Sequence, residues 1–152
     1  MNSCVHCTRG LPVGEDSCLW CGRWQNGHMP MCESHESTPS FGVCVVCGRP
    51  VCASCAETHD GRLLCDDRAH HEVAESNLLL VTLPSEFEAD WIVTNLRQTG
   101  VAAVQYSMRS YATAWWFPTA RPVRVFVPAA EANKARELLS RFDDLTLFSE
   151  RR

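Results

Sequence analysis

Five pairs of the form Cys-x2-Cys or Cys-x2-His follow one another, at Cys4/Cys7, Cys18/Cys21, Cys32/His35, Cys44/Cys47 and Cys52/Cys55, and a last cysteine, Cys65, precedes the run DDRAHH. A two-residue gap lets two side chains of one tight turn reach the same cation, with Zn–S near about 2.3 Å and tetrahedral angles. Thiolate and imidazole select zinc over magnesium or calcium, which take oxygen. A region this small with few large apolar side chains commonly needs metal staples, so the first half of the chain is expected to fold only with its metals.

All ten cysteines of the 152-residue chain lie between Cys4 and Cys65. That step in composition divides the chain in two. Disulfides are the competing use of so many thiols, but the start MNSCVHCTRG carries neither a basic n-region nor an apolar h-region, and without a secretory route metal binding is the better expectation. The run LLLV (78–81) is far too short to cross a bilayer. A soluble, cytoplasmic chain without membrane contact is expected. Thioredoxin-like chemistry wants one pair at a βαβ element, and none of these pairs has that context.

Only four residues separate Cys47 from Cys52. For both pairs to share one ion the chain would have to return tightly, leaving Cys32/His35 and Cys65 to find remote partners. Interleaving is more economical: Cys32, His35, Cys52 and Cys55 on one zinc, and Cys44, Cys47, Cys65 and a following histidine on the next. Cys4, Cys7, Cys18 and Cys21 remain, as two knuckles around a loop with Gly and Pro, the pattern of a four-cysteine zinc ribbon. No thiol is left over, and three structural Zn²⁺ per chain are expected.

The run Cys32-x2-His35-x8-Cys44-x2-Cys47-x4-Cys52-x2-Cys55 resembles the B-box zinc finger family in ligand type and spacing. The resemblance implies the interleaved, cross-braced pairing that spacing alone favours. Bacterial sequences of this type often carry their last ligand where this chain has Arg68. His70 or His71 must substitute, with Asp67 a further option. If a helix starts after Cys65, His71 lies one turn beyond position 68 on the same face, whereas His70 needs an irregular turn. His6, His28 and His59 are read as surface residues; His59 stands close to the offset of a histidine in the animal B-box.

Four Cys and His ligands close a zinc sphere, whereas a catalytic zinc keeps an open position. No His-Glu-x-x-His or His-x-Glu pairing accompanies the Cys44 group, so the chain is not expected to be an enzyme.

The polar stretch EVAESN (72–77) reads as a linker. LLLVTL (78–83) reads as a buried strand, and the next segment has helix start and stop signals, a Ser85/Glu88 capping box and Gly100 at the C-terminal cap. Trp91, Ile92 and Leu96, with Phe87 or Ala89, share one face of that helix. Strands at 101–107 and 122–128, a helix at 129–142 and a short strand at 144–148 complete the order βαββαβ, the ferredoxin-like layout. The expected class is α+β, with a zinc ribbon at 1–28, a B-box-like finger at 29–71, the linker, and a ferredoxin-like domain at 78–148.

EFEADWIVTNLRQTGVAAVQ and RVFVPAAEANKARELL resemble a small prokaryotic signal-transducing domain related in fold to the nitrogen-regulatory PII proteins, over residues 78–143. The resemblance implies a fold and a signalling role, and no nucleotide-binding residue is carried over. Between the two middle strands, where the PII fold has its partner-contacting loop, lies RSYATAWWFPTARP. Adjacent strand residues point to opposite faces, so Trp115 and Trp116 cannot both face one core, and an exposed tryptophan suits a binding hot spot. Arg109, Arg121 and Arg124 flank the pair. Trp115, Trp116, Arg109 and Arg121 form the candidate partner-binding surface.

Residues 1–76 hold five arginines against ten aspartates and glutamates, while residues 77–152 carry nine basic and eight acidic residues. No basic stripe is visible, which argues against nucleic acid as partner. The expected function is a non-catalytic zinc-binding module for protein interaction or signal transduction, docking a partner or ligand on its ferredoxin-like part. The alternatives are a nucleic-acid- or ribosome-associated zinc protein and, by analogy with animal B-box proteins, a ligase-like or other enzyme-recruiting factor.

Overall fold

The computed structural model describes residues 2–11, 16–25, 27, 29–108 and 122–143. It is a mixed α/β structure. Three antiparallel two-stranded sheets form in the cysteine-rich part: β1 (Asn2–Ser3) with β2 (Gly10–Leu11), β3 (Gly42–Val43) with β4 (Pro50–Val51), and β5 (Glu57–His59) with β6 (Arg62–Leu64). Such short strands cannot stand alone. The first two sheets are closed by turns of one hydrogen-bond pattern, which recurs once more at Cys18.

In the first of these turns Cys4 N–H donates to the Arg9 carbonyl at 2.8 Å and Thr8 N–H to the Cys4 carbonyl at 2.9 Å. The same pair of bonds recurs from Cys18 and Gly22, and from Cys44 and Gly48. The turn puts the residue after the second cysteine in the left-handed region: φ is 63° at Thr8, 82° at Gly22 and 70° at Gly48. Only Thr8 carries a Cβ there. Relief of the left-handed penalty, partly offset by the flexibility of glycine in the unfolded chain, makes Thr8→Gly stabilising by about 0.5 kcal/mol. A small rise in the midpoint of thermal unfolding checks this.

Helix α1 (Arg68–Ser76) starts after Asp67, whose side chain accepts from Ala69 N–H at 2.9 Å. Residues 72–76, read above as linker, are its second half, and Asn77 is both its C-cap and the first residue of β7 (Asn77–Leu83). The polar composition concealed a short buried stripe: His70, Val73 and Ala74, at i, i+3 and i+4, face inward. Helix and strand therefore meet with no free linker between them.

Helix α2 (Glu86–Gln98) is capped by Ser85, whose Oγ accepts from Glu88 N–H at 3.3 Å and donates to the Glu88 carboxylate at 3.4 Å. It closes at Gly100, with φ 88°, where Val101 N–H donates to the Leu96 carbonyl at 3.0 Å. That closure keeps Val101 and Ala103 buried but outside the strand, so β8 (Val104–Ser107) begins later than the pattern suggests. Ala89 joins Ile92, Val93 and Leu96 on the buried face, and Phe87 is 82% exposed. Strand β9 (Val123–Pro128) leads through a 3₁₀ turn (Ala129–Glu131) into α3 (Ala132–Asp143).

The sheet order is β7-β9-β8, antiparallel throughout, with a register shift between Leu79 and Val81. On one face Val123, Val125 and Val127 pack with Leu83, Ile92, Leu96, Ala132 and Ala135. On the other, Phe126 packs with Val45, Val46, Leu64, Val73 and the Cys44/Cys47/Cys65 group. Thus VRVFV is buried at every position although its residues alternate. Arg124 is 1% exposed and donates Nη1–H to the Val45 carbonyl. The cysteine-rich part therefore covers the sheet face opposite the helices. Arg109, Trp115, Trp116, Arg121, His28 and the strand expected at 144–148 lie outside the described residues.

Candidate metal centres

Three groups of ligand atoms gather: Cys4, Cys7, Cys18 and Cys21 (cluster I); Cys32, His35, Cys52 and Cys55 (cluster II); Cys44, Cys47, Cys65 and His70 (cluster III). Within each, the atoms lie within 4.8 Å of one another. Sulfur pairs are 3.7 Å apart for Cys4–Cys21 and Cys7–Cys18, and 3.6 Å for Cys32–Cys55. A tetrahedron with Zn–S of about 2.3 Å has edges of about 3.8 Å, whereas a disulfide needs about 2.05 Å. The cysteines are free thiols and fit zinc sites in spacing and chemistry. Ligand order along the chain interleaves clusters II and III.

Cluster I is a knuckle pair with donors aimed at sulfur. Gln25 Nε2–H donates to Cys4 Sγ at 3.3 Å and to the Arg23 carbonyl at 2.9 Å, and Cys21 N–H reaches Cys18 Sγ at 3.5 Å. These bonds disperse thiolate charge. Cluster II is the most open. His35 is exposed, with Nδ1 at 3.2 Å from Cys55, 3.5 Å from Cys52 and 3.8 Å from Cys32.

Cluster III is buried at every ligand. His70 Nδ1 is 3.0 Å from Cys65 and 3.9 Å from Cys44. On the far side of the ring, Nε2 is 3.6 Å from the Asp67 carboxylate, and the Tyr106 ring stands edge-on at 5.0 Å. Asp67 thus caps α1 and orients the imidazole, the familiar support of a metal-bound histidine by a carboxylate. A cavity of about 280 Å³, lined by Arg49, Tyr106 and Ser107 among others, runs along the cluster.

His71 lies elsewhere: its Nε2 is 2.7 Å from the Cys65 carbonyl, and Nδ1 is 3.7 Å from Glu57. The expected helix register fails because Asp67 is extended (φ −77°, ψ 117°) and helical structure begins only at Arg68. This offset turns His70, not His71, toward the cysteines. His59 faces Asp60 and Glu75 at 3.6 and 3.9 Å, away from any cluster.

Arg49, just past the Cys44 knuckle, joins clusters II and III. Its guanidinium donates to Asp66 at 2.9 Å and to Ser34, with Glu33 at 3.8 Å. Neither Arg49 nor Tyr106 stands in a pattern that marks it in the sequence.

Close thiols cannot all ionise unaided. The Cys44 thiol is pulled down to about 2 by hydrogen bonds from Cys47 and Cys65, while Cys47 is driven up by the same contact with Cys44. Burial raises Cys4 and Cys32, but the bonds they accept outweigh it and hold each at about 6; Cys55 is pushed up to about 11 by burial and its neighbours Cys32 and Cys52. A divalent cation removes this conflict by stabilising every thiolate at once.

Exposure orders the release of metal. A colorimetric chelator is expected to take the zinc of cluster II first, as one fast phase, and His35→Ala should abolish that phase while two slower ones remain. An unaltered fast phase in the variant would refute the order.

The cluster I segment and the segment carrying clusters II and III are joined through the backbone. Val43 N–H donates to the Gly22 carbonyl at 2.8 Å and Leu63 N–H to the Cys21 carbonyl at 3.0 Å. A Cβ at Gly22 would stand 2.3 Å from the Val43 oxygen. Among the described residues, no helix is long and apolar enough to cross a membrane. No protein-family model, curated protein or solved structure matches the chain.

Proposed function

We propose that the chain is a non-catalytic, zinc-stapled interaction module: a zinc ribbon and a B-box-like finger carried on a ferredoxin-like, signal-transducing half that docks a protein partner in the cytoplasm. One observation carries the proposal. Each cluster offers four Cys or His ligands, and together they use all ten cysteines, so no zinc is left the open position that catalysis needs.

The interleaved ligand order supports the B-box reading. The placement of β9 antiparallel between β7 and β8, which α2 connects, supports the ferredoxin-like one. Because the cysteine-rich part covers one sheet face and the helices the other, docking is assigned to the connection at 109–121, with Trp115, Trp116, Arg109 and Arg121. The acidic balance of residues 1–76 favours a protein over a nucleic acid as partner.

Native mass spectrometry of protein purified gently from its own host tests this. Three zincs per chain, with a protein partner whose binding is lost on joint Trp115→Ala and Trp116→Ala substitution, is the expected result. Two zincs, or rapid exchange at cluster III, would reopen a reactive metal and sink the closed-site reading.

A further inference from the structure

A cleft of about 230 Å³ opens where the ribbon, the finger and the sheet meet. Trp20, Val46, Leu79 and Phe126 give it an apolar lining, and Leu78, 43% exposed, stands at its edge. Three arginines from three separate elements complete it: Arg9 beside β2, Arg62 on β6 and Arg136 on α3. Among the described residues, its lining contains no aspartate or glutamate.

That concentration runs against the charge of the chain, which is −4 overall. Of the five arginines in residues 1–76, set against ten acidic residues, two line this one cleft. Like charges gathered on an apolar wall repel unless an anion joins them.

Their contacts leave donors to spare. The Arg9 guanidinium lies 3.8 Å over the Trp20 ring, a stack that uses its face and keeps its N–H edge for a ligand. Among the described residues Arg62 is fixed by one bond, Nη2–H to the Ala74 carbonyl at 2.7 Å. Arg136 Nη1 reaches Asn133 Oδ1 at 3.3 Å. A guanidinium has five donors, so each has others to offer.

We propose that this cleft binds a small organic anion, with its carboxylate or phosphate held by Arg9, Arg62 and Arg136 and an apolar body lying against Trp20 and Phe126. The volume is below the roughly 300 Å³ at which sites for larger ligands begin, so a body of one or two rings suits it and a dinucleotide does not. The proposal rests on the zinc-stapled reading, because the clusters hold Arg9, Trp20 and Arg62 in place.

The test is calorimetric titration of the full-length, zinc-loaded protein with 2-naphthoate, 2-naphthyl phosphate and the neutral 2-naphthamide. At least one anion is expected to bind about tenfold or more tightly than the amide, the scale of a charge-assisted hydrogen bond. The tighter of the two identifies the acid group. Arg62→Gln and Arg136→Gln should each weaken the anion about fivefold or more and leave the amide unchanged. Equal binding of anion and amide, wild-type affinity in both variants, or no anion binding at millimolar concentration overturns the site. Zinc is counted in the same samples: three zincs without anion binding overturns this site alone, and fewer than three overturns the closed clusters as well.

Discussion

Removal of the metals is expected to unfold residues 2–76 and, with them, to weaken the sheet that they cover. Structural zinc contributes on the order of 10 kcal/mol per site in finger peptides, while a whole domain is stable by roughly 5–15 kcal/mol. Loss of one ion is therefore decisive for the segment it holds, and loss of all three for a region whose strands are two or three residues long. The effect does not stop at Ser76. Phe126, 5% exposed, and Arg124, which donates to Val45, lose their cover, and burial of Phe126 alone is worth about 2 kcal/mol. Hydrogen exchange before and after chelation, and again on adding zinc back, is the measurement. Protection should vanish across residues 2–76 and fall in β9, then return. Unchanged protection without metal would refute the stapled fold. In the same assay His70→Ala should cost one zinc and expose cluster III, whereas His71→Ala should keep all three.

The second large effect is expected from Gly22→Ala. The new Cβ meets the Val43 oxygen at 2.3 Å and the Leu63 Cβ at 3.2 Å, at a φ of 82° that side chains rarely adopt. The backbone cannot simply step aside, because Val43 and Leu63 are both hydrogen-bonded to this segment. The cost should be roughly 3 kcal/mol or more. Gly27→Ala is the control: φ is 69° but among the described residues nothing lies within 4 Å, so only the conformational penalty of about 1 kcal/mol applies. The cluster I segment should detach as a unit, with Cys18 and Cys21 gaining reactivity toward a thiol reagent while clusters II and III keep their zinc. Equal costs for the two variants would show that the seam is not tight.

Much of the site can be read directly along the chain, because a Cys-x2-Cys pair encodes its geometry locally. Spacing favours the grouping of ten cysteines and His35, the resemblance to the B-box family implies its interleaved part, and the structure gathers the same ligands. The last ligand cannot be read so easily. Whether His70 or His71 turns inward depends on where α1 starts, and Asp67 decides that by staying extended to cap it. Residues 72–76 mislead for a related reason: two buried positions, Val73 and Ala74, are too few to stand out in a polar stretch. Of the two helices that follow β7, α2 is legible from capping and periodicity, with Ser85 and Gly100 at their expected places, and α3 from its amphipathic pattern, although residues 129–131 form a 3₁₀ turn before it. What composition hides is the covered second face of the sheet. In VRVFVP the alternation suggests a strand with one wet side, yet Arg124 and Phe126 meet residues some eighty positions earlier, and no local pattern records such a pairing.

The interleaved ligands also bear on synthesis, where the chain emerges at roughly 5–20 residues per second. Cluster I is complete once Cys21 is out, cluster II waits for Cys55, and cluster III for His70. Between the appearance of Cys47 and Cys52, the free ligands beyond cluster I are Cys32, His35, Cys44 and Cys47, a full set of four that belongs to two different groups. A zinc captured in that interval sits in the wrong cage and must be handed on when Cys52 and Cys55 arrive. Wherever zinc binds before Cys52 and Cys55 are made, correct assembly of this chain requires ligand exchange on the nascent polypeptide.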